Sequence, residues 1–145
     1  MKISTRTRYG LRLLIYLAGR EADRLVQVKE IAKHENIPAK YLEQIIRPLK
    51  KAGMLKVVRG AKGGYFMERA PESISVKEVF DVLENSTHLI DCLKDGNFCE
   101  GKGSCSTFDF WDNFSKVIND YLEGVTLADI LKMQREKCKK LMFYI

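Results

Sequence analysis

Leu55-Lys-Val-Val-Arg-Gly-Ala-Lys-Gly-Gly-Tyr-Phe-Met67 is the stretch that decides the fold. Leu55 to Arg59 is rich in β-branched residues, Gly60 to Gly64 is a glycine-rich turn, and Tyr65 to Met67 is a second short run. Together they predict a two-stranded hairpin with Arg59 and Lys62 at its tip. Three helical segments lead up to it. Tyr9, Leu13, Tyr16 and Leu17 share one face of a helix that starts near Ser4 or Thr5. Val28 to Glu35 gives a short second helix with Ile31 and Ala32 inward, and Asn36-Ile37 turns the chain. Pro38 suits the first position of a third helix, where its missing N–H is harmless. That helix buries Leu42, Ile45, Ile46 and Leu49 and stops at Gly53, and Pro48 inside it should kink it, because the Gln44 carbonyl loses its donor. Three helices followed by a hairpin, in about 70 residues, is the order of a winged helix-turn-helix, whose third helix enters the major groove while the wing reaches the backbone.

Beyond Ala70-Pro71-Glu72, Ser75-Val-Lys-Glu78 reads as a capping box opening a helix through Glu84, with Val79, Phe80 and Leu83 inward. A loop follows that holds Gly96, Gly101, Gly103 and three cysteines. From about Ser106 a long helix carries Phe110, Phe114, Val117 and Tyr121, with Trp111, Ile118 and Leu122 beside them. Two adjacent apolar stripes exceed what one small neighbour needs, which points to a partner subunit. Gly124 ends this helix, and Thr126 caps a last one from Leu127 to about Leu141. The expected class is mainly α with a small β-hairpin. The expected organisation is a winged helix-turn-helix DNA-binding domain over 1–85, a cysteine-bearing cluster loop over 86–105, and a dimerisation helix with a C-terminal helix over 106–145.

Charge divides in the same place. The formal net charge of +6 is an average of two unlike halves. Residues 1–70 hold sixteen Lys/Arg against six acids, a balance of +10, and the remaining nine bases and thirteen acids give −4. A basic half joined to an acidic half describes a polyanion-binding module attached to something else. Lys40, Arg47, Lys50, Lys51, Arg59 and Lys62 would neutralise phosphates, giving affinity that falls steeply with salt. Lys40, Tyr41, Glu43 and Gln44, at the start of the third helix, are placed to touch base edges: Gln suits adenine, and Glu accepts from cytosine N4. No apolar run approaches the roughly 18 residues of a membrane span. Leu13 to Ala18 is short, lies among Arg8, Arg12 and Arg20, and lacks a small-residue cleavage site, so a cytoplasmic protein is expected, with no membrane partner and with reduced thiols. The chain lacks C-x-x-C, a phosphate loop and a Ser/His/Asp arrangement, and has only two histidines, which argues against an enzyme.

Cys92, Cys99 and Cys105 are spaced C-x6-C-x5-C. Three soft thiolates on flexible backbone suit an iron–sulfur cluster or zinc, although the spacing lacks the tight pairs of zinc ribbons. Cysteine as a core filler is the plain alternative, and a polar loop suits it poorly. Cys138, among lysines on the last helix, is a bystander.

Arg8-Tyr-Gly10, Tyr41-Leu-Glu-Gln44 and Val58-Arg-Gly-Ala-Lys-Gly-Gly-Tyr65 resemble the Rrf-two family of winged-helix transcription regulators, and the likeness covers nearly the whole chain. The resemblance implies a homodimer on a pseudo-palindromic operator, paired through the long helix, with Tyr41, Glu43 and Arg59 at positions the family uses at DNA. It also implies sensing of redox, nitric oxide or iron–sulfur status through a cluster on the three cysteines, 2Fe-2S before 4Fe-4S. The chain departs from the family at the fourth ligand. Phe108 stands where some members have histidine, and Arg8 stands where others use an acid from the partner's first helix. Asp109 is the first substitute, ahead of Glu100, Asp91, His88 or an exogenous small ligand. A cluster-free regulator of the same fold, controlled by thiol oxidation or by a metabolic protein partner, is the alternative.

Overall fold

The computed structural model describes residues 3–22, 24–84 and 104–142. Its elements run α1 (Thr5–Ala18), α2 (Val28–Glu35), α3 (Ala39–Lys51), β1 (Leu55–Val58), β2 (Gly64–Met67), a 3₁₀ turn (Pro71–Ser73), α4 (Val76–Leu83), α5 (Phe108–Gly124) and α6 (Leu127–Met142). The strands pair antiparallel from Leu55↔Met67 to Val58↔Gly64, leaving Arg59 to Gly63 as the tip. The chain is therefore mainly α with one small hairpin. No helix among the described residues is long and apolar enough to cross a membrane.

Helix α1 is the hub. It packs against α2, α3, α4, α6 and β2, so five successive residues, Leu13 to Leu17, are buried rather than the single stripe its periodicity suggests. Leu42, Ile45 and Leu49 of α3, Met54 and Leu55 of the hairpin and Val79 of α4 complete one core. Gly10 lets α4 approach, since a Cβ there would sit 2.2 Å from Leu83 Cδ1. Leu127 is also wholly buried in this core. The start of α6 is fixed by backbone bonds from Val76 N to Val125 O (2.8 Å) and from Leu127 N to Ile74 O (3.0 Å). The core is thus not confined to residues 1–85.

Local chemistry departs from expectation in several places. Pro38 is the N-cap of α3, with ψ 130°, rather than its first helical residue. As expected, α3 itself continues through Pro48, to Lys51. Phe80 is half-buried rather than turned into the core. Ser75 does cap α4, accepting from Glu78 N–H at 3.1 Å, but the Glu78 carboxylate is engaged by the Arg69 guanidinium. Thr126 and Asp129 form the reciprocal box instead: Thr126 N–H donates to Asp129 Oδ2 at 2.9 Å, and Asp129 N–H to Thr126 Oγ1 at 3.2 Å.

Glu84 ties the end of α4 to the start of α1, because Ser4 N–H donates to its Oε1 at 2.9 Å. Burial alone would raise the Glu84 carboxyl, but hydrogen bonds from Thr7 and Ser4 and the charge of Arg6 outweigh it and hold the group below its ordinary 4.5. A depressed carboxyl contributes stability that is present above its unfolded value and lost as pH falls through its folded one. Glu84→Gln is therefore expected to cost about 1 kcal/mol at neutral pH, with the deficit closing below about pH 4 in thermal melts. A deficit that persists at low pH would contradict the assignment.

Candidate nucleic-acid interface and thiolate site

Burying Leu42, Ile45, Ile46 and Leu49 turns the opposite face of α3 to solvent. Lys40, Glu43, Gln44, Arg47, Lys50 and Lys51 are all exposed along it. Tyr41 is half-buried, its ring edge-on to Tyr9 with centroids 5.9 Å apart and planes at 89°. It therefore belongs partly to the core edge. On the wing, Lys56, Val58, Arg59 and Lys62 are exposed. A groove joins the two elements, lined by Glu43, Arg47 and Lys50 of α3 and by Val57 and Tyr65 of the hairpin.

The arginine ion pairs of this half lie away from that surface. Arg12 pairs with Glu35 (2.8 Å), Arg24 with Glu30 (3.3 Å) and Arg69 with Glu78 (2.5 Å). Among the described residues, no ion pair engages Lys40, Arg47, Lys50, Lys51, Lys56, Arg59 or Lys62. Seven uncompensated cations on one helix face and its neighbouring hairpin make a surface for a polyanion. Glu43 lies four residues before Arg47, a spacing that commonly pairs on helices, yet no bond joins them. Its carboxylate stays available as an acceptor, the chemistry cytosine N4 requires.

The wing is held by a contact too short to read from the sequence. Val26 forms an isolated antiparallel bridge with Tyr65: Val26 N–H donates to Tyr65 O at 3.0 Å, and Tyr65 N–H to Val26 O at 2.8 Å. Leu25-Val26 gives only two apolar residues, fewer than a strand pattern needs.

Cys105 is exposed and precedes α5. Its Sγ lies 3.6 Å from Thr107 Oγ1. Hydrogen bonds from the Thr107 backbone and hydroxyl hold the thiol below its ordinary value, against the opposing charge of Asp109. This environment favours the thiolate that metals and clusters bind. Asp109 stands exposed in the first turn of α5. Cys92 and Cys99, with Asp91, Glu100 and His88, lie outside the described residues, so of the expected ligands the structure describes Cys105 and Asp109 alone. Further along α5, Phe110, Trp111 and Phe114 form an exposed ring cluster with centroids 4.9–6.2 Å apart.

Comparison with known proteins places this architecture. Residues 3–133 match the family described as Rrf2, iron-dependent transcriptional regulator. The protein rrf2 of Nitratidesulfovibrio vulgaris is 36% identical over 132 residues, 91% of this chain and 88% of that one. The HTH-type transcriptional regulator CymR of Bacillus subtilis is 32% identical over 100% of both chains. The structure of CymR, described as the global cysteine regulator of B. subtilis, matches with a TM-score of 0.77 over 92% of this chain and 98% of that one. That of T. potens IscR matches with a TM-score of 0.72 at 36% identity, over 94% and 90%. The winged-helix order, the uncompensated basic face and these relatives agree: the chain belongs to the Rrf2 family of DNA-binding transcriptional regulators and is not an enzyme.

Proposed function

We propose that the chain acts as a homodimer on a pseudo-palindromic operator, each subunit setting α3 in the major groove and its wing against the backbone. The observation that carries this reading is the run of seven unpaired cations spanning α3 and the hairpin. Lys40, Tyr41, Glu43 and Gln44 read bases, and Arg59 and Lys62 hold the backbone. Residues 1–85 serve as the DNA-binding part and 106–145 as the dimerising part, with the exposed apolar side chains of α5 at the subunit seam.

The loop over 86–105 joins them and, in this reading, holds an iron–sulfur cluster on Cys92, Cys99 and Cys105, with Asp109 as fourth ligand. The family's description as iron-dependent and the thiolate-favouring surroundings of Cys105 support it. Such a cluster, 2Fe-2S by preference, supplies a centre that oxidants, nitric oxide or iron supply change or remove. The chain's own part is to connect the loop to the DNA-binding body. Glu84, just before the loop, is bonded to the start of α1, and Cys105, at its far end, leads directly into α5. A change in the loop shifts operator affinity only if the two states bind DNA differently.

The likeness to CymR, a cysteine regulator by its description, favours a second reading: a cluster-free regulator governed by thiol oxidation or a metabolic protein partner. Anaerobic purification with visible absorption and iron and sulfide quantitation separates the two. Coloured protein with matched iron and sulfide is expected, and Cys92→Ser, Cys99→Ser or Cys105→Ser should lose colour and regulatory response together. Colourless protein with full operator affinity leaves the second reading standing.

A further inference from the structure

A cleft of about 280 Å³ lies where the end of α1 and the residues after it meet β2 and the start of the 3₁₀ turn. It shares no lining residue with the groove between α3 and the wing. Leu17, Phe66, Met67 and Pro71 give it an apolar lining, and Arg20, Glu21 and Glu68 supply charge. Small-molecule sites commonly enclose about 300–1,000 Å³ behind mainly apolar walls with a few polar groups, so this cleft suits a small ligand.

Its charges are not all settled within the chain. Arg24 and Arg69 also line the cleft, but they are engaged by Glu30 (3.3 Å) and Glu78 (2.5 Å). Arg20 is different. Its guanidinium lies over the Tyr16 ring, 4.2 Å from the centroid, and no carboxylate pairs with it among the described residues. Its Nε is buried without an acceptor among those residues. A buried donor on a charged group is costly until an acceptor reaches it, and a carboxylate meets a guanidinium through two parallel hydrogen bonds. Glu21 and Glu68 are exposed and likewise form no ion pair among the described residues. A simple anion drawn to Arg20 would be repelled by both carboxylates, whereas a ligand carrying its own ammonium is attracted by all three charges.

We propose that this cleft binds a small apolar α-amino acid. The ligand's carboxylate meets Arg20, its ammonium faces Glu21 and Glu68, and its side chain lies on Leu17, Phe66 and Met67. The proposal goes beyond the DNA and cluster readings and needs neither. An occupant would touch β2 of the wing hairpin and the 3₁₀ turn that packs on α6, so it sits between the two parts of the chain.

Equilibrium dialysis of the full-length protein against radiolabelled L-valine, L-leucine and L-methionine, each up to about 1 mM, tests the proposal without DNA. Saturable binding of one molecule per chain is expected for at least one of them, and its absence for all three overturns the site. For the amino acid that binds, the matching amino alcohol lacks the carboxylate, and the matching acid without the amino group lacks the ammonium. Each should compete at least about 10-fold more weakly. Equal competition by the alcohol overturns the role of Arg20, and equal competition by the acid overturns that of Glu21 and Glu68. Arg20→Ala should lower affinity about 10- to 100-fold with helix content unchanged by circular dichroism; a folded Arg20→Ala variant that binds normally places the ligand elsewhere. If that variant fails to fold, Glu68→Gln, at an exposed position, decides: weakened binding supports the cleft, and unchanged binding overturns it.

Discussion

Val117→Glu should leave a folded monomer where, on the homodimer proposed above, the unaltered chain is expected to sediment as a dimer. Phe110, Phe114, Val117 and Tyr121 recur along α5 at helical spacing, and they are 62%, 42%, 66% and 68% exposed in the single chain. Fully burying a side chain of this size stabilises by about 1.5–3 kcal/mol, and a twofold seam counts each residue twice. Glutamate near the middle of the stripe removes two valines from that seam and brings in two carboxylates, beside an α5 that already carries Asp112, Asp120 and Glu123. A combined cost of about 4 kcal/mol raises the dimer dissociation constant roughly 1,000-fold. Because Val117 is mostly exposed within its own chain, the subunit's helix content should be unaffected. Sedimentation velocity and circular dichroism on the same samples decide the matter. A dimer that survives would mean that another surface joins the subunits. Monomers should also lose most operator affinity, since two half-sites are then no longer held at a fixed spacing.

That stripe was legible in the sequence for the reason the wing was: each is a local pattern with one dominant cause. Two valines before a turn with three glycines and two aromatic residues after it specify a hairpin, and aromatic or aliphatic residues at helical spacing specify an apolar face whatever covers it. The cations of α3 were legible too, because burying Leu42, Ile45, Ile46 and Leu49 fixes which side faces out. What escaped reading depends on residues distant in sequence. Leu13 to Leu17 are all buried because five elements surround α1, and a 3.6-residue period describes only one neighbour. Glu78 fits a capping box by spacing, but Arg69 offers its carboxylate a full charge where the box offers one N–H. Val26 belongs to the sheet only because Tyr65 lies opposite. Of the thiolate site, the spacing of the cysteines was legible, while the hydrogen bonds that favour the Cys105 thiolate require the turn into α5.

Gly63 is where the next largest effect is expected, and there too the cause is a contact that spacing does not reveal. A Cβ at this position would lie 2.1 Å from Val58 O and 3.0 Å from Arg59 C and Gly60 O. All three are backbone atoms of the same turn, so no rotamer change relieves the clash, unlike at Gly10, where a leucine methyl is the obstacle. Gly63 N–H also closes the turn on Gly60 O at 3.0 Å, and Val58↔Gly64 is the adjoining strand pair. Gly63→Ala must therefore open the tip and fray that end of the hairpin. Leu55 and Met67 at the other end stay anchored, Leu55 wholly buried and Met67 packed against the core. The expected outcome is near-native helix content, with Arg59 and Lys62 both displaced from the phosphates proposed for them above. The salt slope should fall by about 1.8 and affinity by about 10- to 100-fold at moderate salt. Ala61→Ser, at an exposed position of the same turn, should leave both unchanged. If Gly63→Ala binds a duplex as tightly as the unaltered chain, the wing tip does not touch DNA. Affinity would then rest on α3 alone, and the unpaired charges of Arg59 and Lys62 would need another anion to explain them.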